Sequence, residues 1–106
     1  MAWHELEPAE VLAKLNDGTA YLIDVREPHE YADSHISGAT HMPLSQFDPG
    51  LVATPESKTL IFQCRSGQRC GMASEQLINA GYTGEIYRIA GGLLAWTEAG
   101  LPVETG

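Results

Sequence analysis

Two rhythms alternate along this chain: short apolar runs closed off by turn residues, and longer stretches in which apolar side chains recur every three or four positions. Residues 20–25 and 59–63 are of the first kind, and such runs suit strands buried on both faces. The second of them is β-branched and aromatic and leads directly into Cys64. Residues 3–6 predict a short edge strand, 38–42 a further strand and 85–89 the last one. Between them, Pro8 opens a helix over 9–15 with Val11, Leu12 and Leu15 on one face, and Asn16-Asp17-Gly18 ends it. Short helical stretches are expected at 28–32 and 43–51. A longer helix is expected over 68–80, with Met72, Leu77 and Ile78 toward the core and Gly81 as its stop, and a last helix over 93–99. Strands interleaved with helices define an α/β fold, and five of them give a central, mostly parallel sheet flanked by helices in three layers.

Composition narrows the picture. The chain has 106 residues, enough for one modest core, so residues 1–106 are expected to form a single domain. No apolar run approaches the roughly 20 residues that span a bilayer, and the first five residues lack the basic start of a signal peptide. A soluble, cytoplasmic protein without a membrane partner is the expectation. The net charge is -8, so nucleic acid is not an expected partner either. The two cysteines, Cys64 and Cys70, are too few and too close for the disulfide framework of a small secreted domain. The four histidines have no helical i, i+4 pairing and no accompanying CxxC, so no metal site is expected.

Chemistry concentrates at one place. Cys64 falls at the carboxyl end of an interior strand, where open α/β sheets bind ligands, and Arg65, Ser66, Gly67, Gln68 and Arg69 lead from it into a helix. A buried cysteine ending a strand is common, because a free thiol behaves as a small hydrophobe. Two arginines, a serine and a glycine are poor company for such a residue. Backbone N–H groups of a loop of this kind, joined by those of the helix start, converge on an anion, and Gly67 permits the turn that points them inward. In that setting a thiol is depressed toward its nucleophilic thiolate.

The loop from Cys64 to Arg69 resembles the active-site loop of the rhodanese family. Leu22-Ile23-Asp24-Val25-Arg26-Glu27 resembles the first signature segment of that family, Glu30-Tyr31 with His35-Ile36-Ser37-Gly38-Ala39 its continuation, and Gly91-Gly92 with Trp96 the motif near its end. The resemblance implies the rhodanese fold and a double displacement. Cys64 takes the outer sulfur of a sulfane donor such as thiosulfate as a persulfide, then passes it to cyanide, a thiol or another thiophilic acceptor. No cofactor is implied beyond that covalent intermediate. Residues 65–69 would hold donor and persulfide, with Arg69 favoured over Arg65 for a direct role.

The remaining motif residues read as structural: an Arg26–Glu30 ion pair, a hydrogen-bonded His35, and Trp96 with Leu93 and Leu94 in the core. Gly91 and Gly92 would bring the last strand close to the Cys64 loop. Cys70 stands where the family often has serine or threonine, and two readings stay open: a stand-in for that hydroxyl, or a redox partner that resolves the persulfide. Three rival functions compete. A cysteine phosphatase or arsenate reductase on the related fold resembles C-x5-R, whereas four residues separate Cys64 from Arg69. A rhodanese-like interaction module usually loses the cysteine or its loop, and this chain keeps both. A sulfur relay with a protein acceptor has the same sequence features as a thiosulfate enzyme.

Overall fold

The computed structural model describes residues 3–52, 58–64, 68–82 and 85–105, apart from the side chains of Trp3, Leu51, Gln68 and Arg69. Its five strands are β1 (Trp3–Leu6), β2 (Ala20–Asp24), β3 (Thr40–His41), β4 (Thr59–Gln63) and β5 (Ile86–Ile89). Its α-helices are α1 (Pro8–Asn16), α2 (Pro28–Asp33), α3 (Gln68–Asn79) and α4 (Gly92–Glu98). The strands pair in the order β1-β5-β4-β2-β3, and each pairing is parallel. The protein is thus α/β, with β4 in the middle of the sheet.

One four-residue word, Glu-Pro-x-Glu, starts both α1 and α2. In each, proline occupies the first helical turn, where its missing N–H costs nothing. The glutamate three positions after the cap reaches back: Glu10 accepts from the Glu7 N–H and Glu30 from the Glu27 N–H, both at 3.1 Å.

Strand periodicity sorts the core onto two faces of the sheet. Ile23, Val25, Leu60, Phe62, Cys64 and Ile86 lie on the face covered by Cys70, Ala73 and Leu77 of α3. Leu22, Ile61 and Ile89 lie on the other, against Val11 of α1 and Leu93 and Trp96 of α4. Trp96 is fully buried and its indole N–H donates to the Pro102 carbonyl at 2.9 Å.

Three expectations need correction. Met72 is exposed, because α3 turns the 70, 73, 74, 77 row to the sheet and position 72 falls outside that row. Leu77 is buried and Ile78 half-buried, as the periodicity suggests. Leu94 is likewise exposed beside its buried neighbour Leu93. The stretch 38–51 forms only the two-residue β3 followed by two 3-10 turns, Leu44–Gln46 and Pro49–Leu51. Its amides bond instead to the neighbouring loop, Met42 N–H to the Asp24 carbonyl and Leu44 N–H to that of Val25.

Candidate active site

Cys64 is the residue at which β4 stops, and its thiol points to the α3 side of the sheet. Its carbonyl oxygen accepts two hydrogen bonds, from the Leu93 N–H at 2.9 Å and from the Gln63 side-chain amide at 2.8 Å. The first depends on the turn after β5. Gly91 and Gly92 both sit at positive φ, 75° and 62°, which reverses the chain so that the start of α4 meets the end of β4. The two glycines therefore do what their place in the sequence suggests. The roles of Gln63 and Leu93 are not evident from the sequence; a polar residue closing an otherwise apolar strand is the only signal for Gln63.

Arg65, Ser66 and Gly67 lie outside the described residues. Gln68 and Arg69 begin α3, and only their backbone is described. The direction of the two arginines, expected to hold an anionic donor, lies outside that description as well.

Cys70, in the first turn of α3, meets Cys64 directly. The Sγ atoms are 3.2 Å apart, the Cys70 thiol donates, and both residues are buried. That hydrogen bond, together with burial, holds the Cys70 thiol well above its ordinary value; Arg88 opposes the shift without overcoming it. Arg88 projects from β5 on the same face and pairs with Glu5 at 3.1 Å. Cys70 thus keeps its proton to higher pH than a free thiol does.

The residues of the first signature segment form a lock beside the site. Asp24 and Arg26 are both buried, and the guanidinium grips the carboxylate, Nη2 to Oδ2 at 2.8 Å and Nε to Oδ1 at 3.1 Å. The same side chain donates to the carbonyls of Glu30 and Ser34. The expected Arg26–Glu30 ion pair is therefore replaced by an Arg26–Asp24 pair, since the Glu30 carboxylate is turned back to cap its own helix. His35 is structural: its Nδ1 bonds the Tyr31 carbonyl at 2.9 Å, and its ring stacks on Tyr31. His41 stacks on the same tyrosine. Among the described residues, no group of three or more metal-ligating side chains converges. A cavity of about 370 Å³ opens on this side, lined by Arg26, Glu30, Asp33, Ser34, Leu93, Leu94 and Thr97. It shares Leu93 with the anchor of the Cys64 carbonyl and is of a size that admits a small ligand.

A five-stranded parallel sheet in three layers, with a cysteine where the central strand gives way to a helix, defines a class of α/β proteins that place their chemistry at the strand ends. The sequence profile of the rhodanese-like domain matches residues 7–99, and the chain belongs to that family. It is 47% identical over 81 residues to an uncharacterized protein of Synechocystis, covering 76% of this chain and 45% of that one. It is 30% identical to a thiosulfate sulfurtransferase of Stutzerimonas stutzeri, covering 84% of this chain and 81% of the relative. The solved structure of a thiosulfate sulfurtransferase from Pseudomonas aeruginosa superposes with a TM-score of 0.82 at 27% identity, over 96% of this chain and 20% of that one. The chain spans about half the length of several curated relatives it matches, 45%, 59% and 43% of three of them. Among the described residues, no helix is long and apolar enough to cross a membrane.

Proposed function

We propose that this protein is a sulfurtransferase in which the Cys64 thiolate carries sulfane sulfur. The observation that carries the reading is the position of Cys64, at the end of the central strand and ahead of the twelve-residue helix α3, in a chain of the rhodanese-like family. The thiolate attacks the outer sulfur of thiosulfate, the S–S bond breaks, and sulfite leaves with the electron pair. The resulting persulfide gives its outer sulfur to cyanide or a thiol, which regenerates the thiolate. Backbone N–H groups of residues 65–69 and the start of α3 stabilise the anion at both stages, with Arg69, more than Arg65, holding the donor. The Cys70 thiol adds one donor to the Cys64 sulfur, as a hydroxyl would. Two cysteines, too few for the disulfide framework of a small secreted domain, fit a reducing compartment, the cytoplasm, with small sulfur donors and acceptors, or a protein thiol, as partners.

Intact-mass measurement after incubation with thiosulfate tests the reading. At early times, before any later step consumes the intermediate, one added sulfur is expected on the reduced protein, lost as thiocyanate with cyanide and never acquired by Cys64→Ser. A Cys64→Ser variant that gains sulfur like the parent, or a parent that never gains or transfers any, refutes it.

A further inference from the structure

The short contact between the two sulfurs does more than replace a hydroxyl. A serine at position 70 would donate the same hydrogen bond, but it has no sulfur to offer. Here a second thiol sits 3.2 Å from the atom that would bear the persulfide, and both residues are buried. To become a disulfide the pair must close to roughly 2.05 Å, a travel of about 1.2 Å. Cys70 lies in the first turn of α3, six residues after Cys64 in the chain.

We propose that Cys70 resolves the Cys64 persulfide, releasing its outer sulfur as hydrogen sulfide and leaving a Cys64–Cys70 disulfide. This rests on the sulfurtransferase reading above. The Cys70 sulfur forms a bond to the inner sulfur of the persulfide, the inner–outer S–S bond breaks, and its electron pair leaves with the outer sulfur. The Cys70 thiol proton goes to the outer sulfur of the persulfide anion, which leaves as hydrosulfide and takes a second proton from solvent to become hydrogen sulfide. The sulfane sulfur is reduced by two electrons and the two thiols are oxidised by two, so the step itself needs no external oxidant. The inner sulfur is the Cys64 Sγ itself, 3.2 Å from the Cys70 sulfur, and this proximity directs the attack to it, with sulfide as an able leaving group. Transfer of sulfur onto Cys64 also replaces the thiolate that Cys70 was hydrogen-bonded to by a neutral disulfide-type sulfur. The hydrogen bond to that thiolate, the largest of the causes that hold the proton on Cys70, is thereby removed at the stage when Cys70 must react, while burial persists. An external dithiol then reopens the disulfide. The net reaction is thiosulfate plus dithiol to sulfite, hydrogen sulfide and the oxidised dithiol, a reductive activity distinct from transfer to cyanide.

A single-turnover experiment tests this. Reduced protein, freed of reductant, is mixed anaerobically with thiosulfate in the absence of acceptor, and sulfide is swept out by inert gas and collected. The parent should release about one sulfide per chain and become two hydrogens lighter, with peptide mapping joining Cys64 to Cys70. Cys70→Ser, which keeps a donor to the Cys64 sulfur, and Cys70→Ala, which does not, should both release none, and whatever sulfur each acquires should stay on Cys64 until cyanide removes it. A parent that keeps its added sulfur as these variants do, with no disulfide, overturns the inference and leaves the sulfurtransferase reading intact. A disulfide that forms equally fast without thiosulfate also overturns it. If parent and both variants neither acquire sulfur nor yield sulfite, both readings fall together.

Discussion

At the scale of single residues, the buried Asp24–Arg26 pair is the most exposed to failure by substitution. Each partner has been taken out of water; Arg26 is compensated by the Asp24 carboxylate and the carbonyls of Glu30 and Ser34, and Asp24 by the guanidinium and the Arg26 backbone N–H. Asp24→Ala leaves a buried guanidinium without its counterion and is expected to cost about 3–5 kcal/mol, read as a lowered urea midpoint. Arg26→Lys is not conservative here, because one ammonium cannot keep the forked grip on the carboxylate and both carbonyls. Gly91 offers a second test. Its φ is 75°, and an added Cβ would stand 2.7 Å from the Ala95 Cβ, whereas Gly18, at φ 80°, has open space around it. Both Gly→Ala changes incur the left-handed penalty of about 1–2 kcal/mol. Only Gly91→Ala adds a steric clash, so its melting temperature should fall further than that of Gly18→Ala. It should also slow sulfur loading, since the Leu93 amide that anchors the Cys64 carbonyl lies two residues on. Cys70 has a signature in pH. Its thiol is held protonated in the folded protein, so above about pH 9 the unfolded chain loses that proton while the folded one retains it. The unfolded state then binds fewer protons, and stability falls as pH rises beyond that point. Cys70→Ser should flatten this part of the alkaline decline in denaturation midpoints, and below about pH 8 the two profiles should run parallel.

At the scale of elements, α3 separates what is packed from what merely looks apolar. Leu77→Ala should cost about 2–5 kcal/mol in urea unfolding, while Met72→Gln, on the exposed face, should stay within about 0.5 kcal/mol. Apolar character alone puts Met72 in the core; the phase of the helix, fixed by Cys70, Ala73, Ser74 and Leu77, puts it outside. Where a single pattern governs a segment, the sequence is legible to the residue: β4 has the bounds that its β-branched and aromatic run indicates. The stretch 38–51 lacks such a pattern, and its conformation is decided by carbonyls of the β2 end and of the loop after it, which no local propensity announces. The same limit applies to the site. Cys64 at a strand end is legible from the strand itself, whereas the Gln63 and Leu93 donors and the partner of Arg26 depend on side-chain directions or on pairings across a reversed chain.

At the scale of the whole molecule, the sheet divides the core into two halves that meet the site from opposite sides. The α3 half supplies the thiols; the α1 and α4 half supplies the amide that fixes the Cys64 backbone. Strand order has a consequence for synthesis. β1 is made before the other four strands, yet among the described residues it pairs only with β5, and Trp3 pairs with Ile86. A ribosome adds roughly 5–20 residues per second, so the amino-terminal strand waits about 4–17 s with its hydrogen-bonding edge unsatisfied. During that interval the sheet can be no more than β2, β3 and, once it emerges, β4. The last strand to appear is the one that joins the first to the rest, so a nascent chain interrupted before residue 86 leaves a ready template for pairing with another copy of itself.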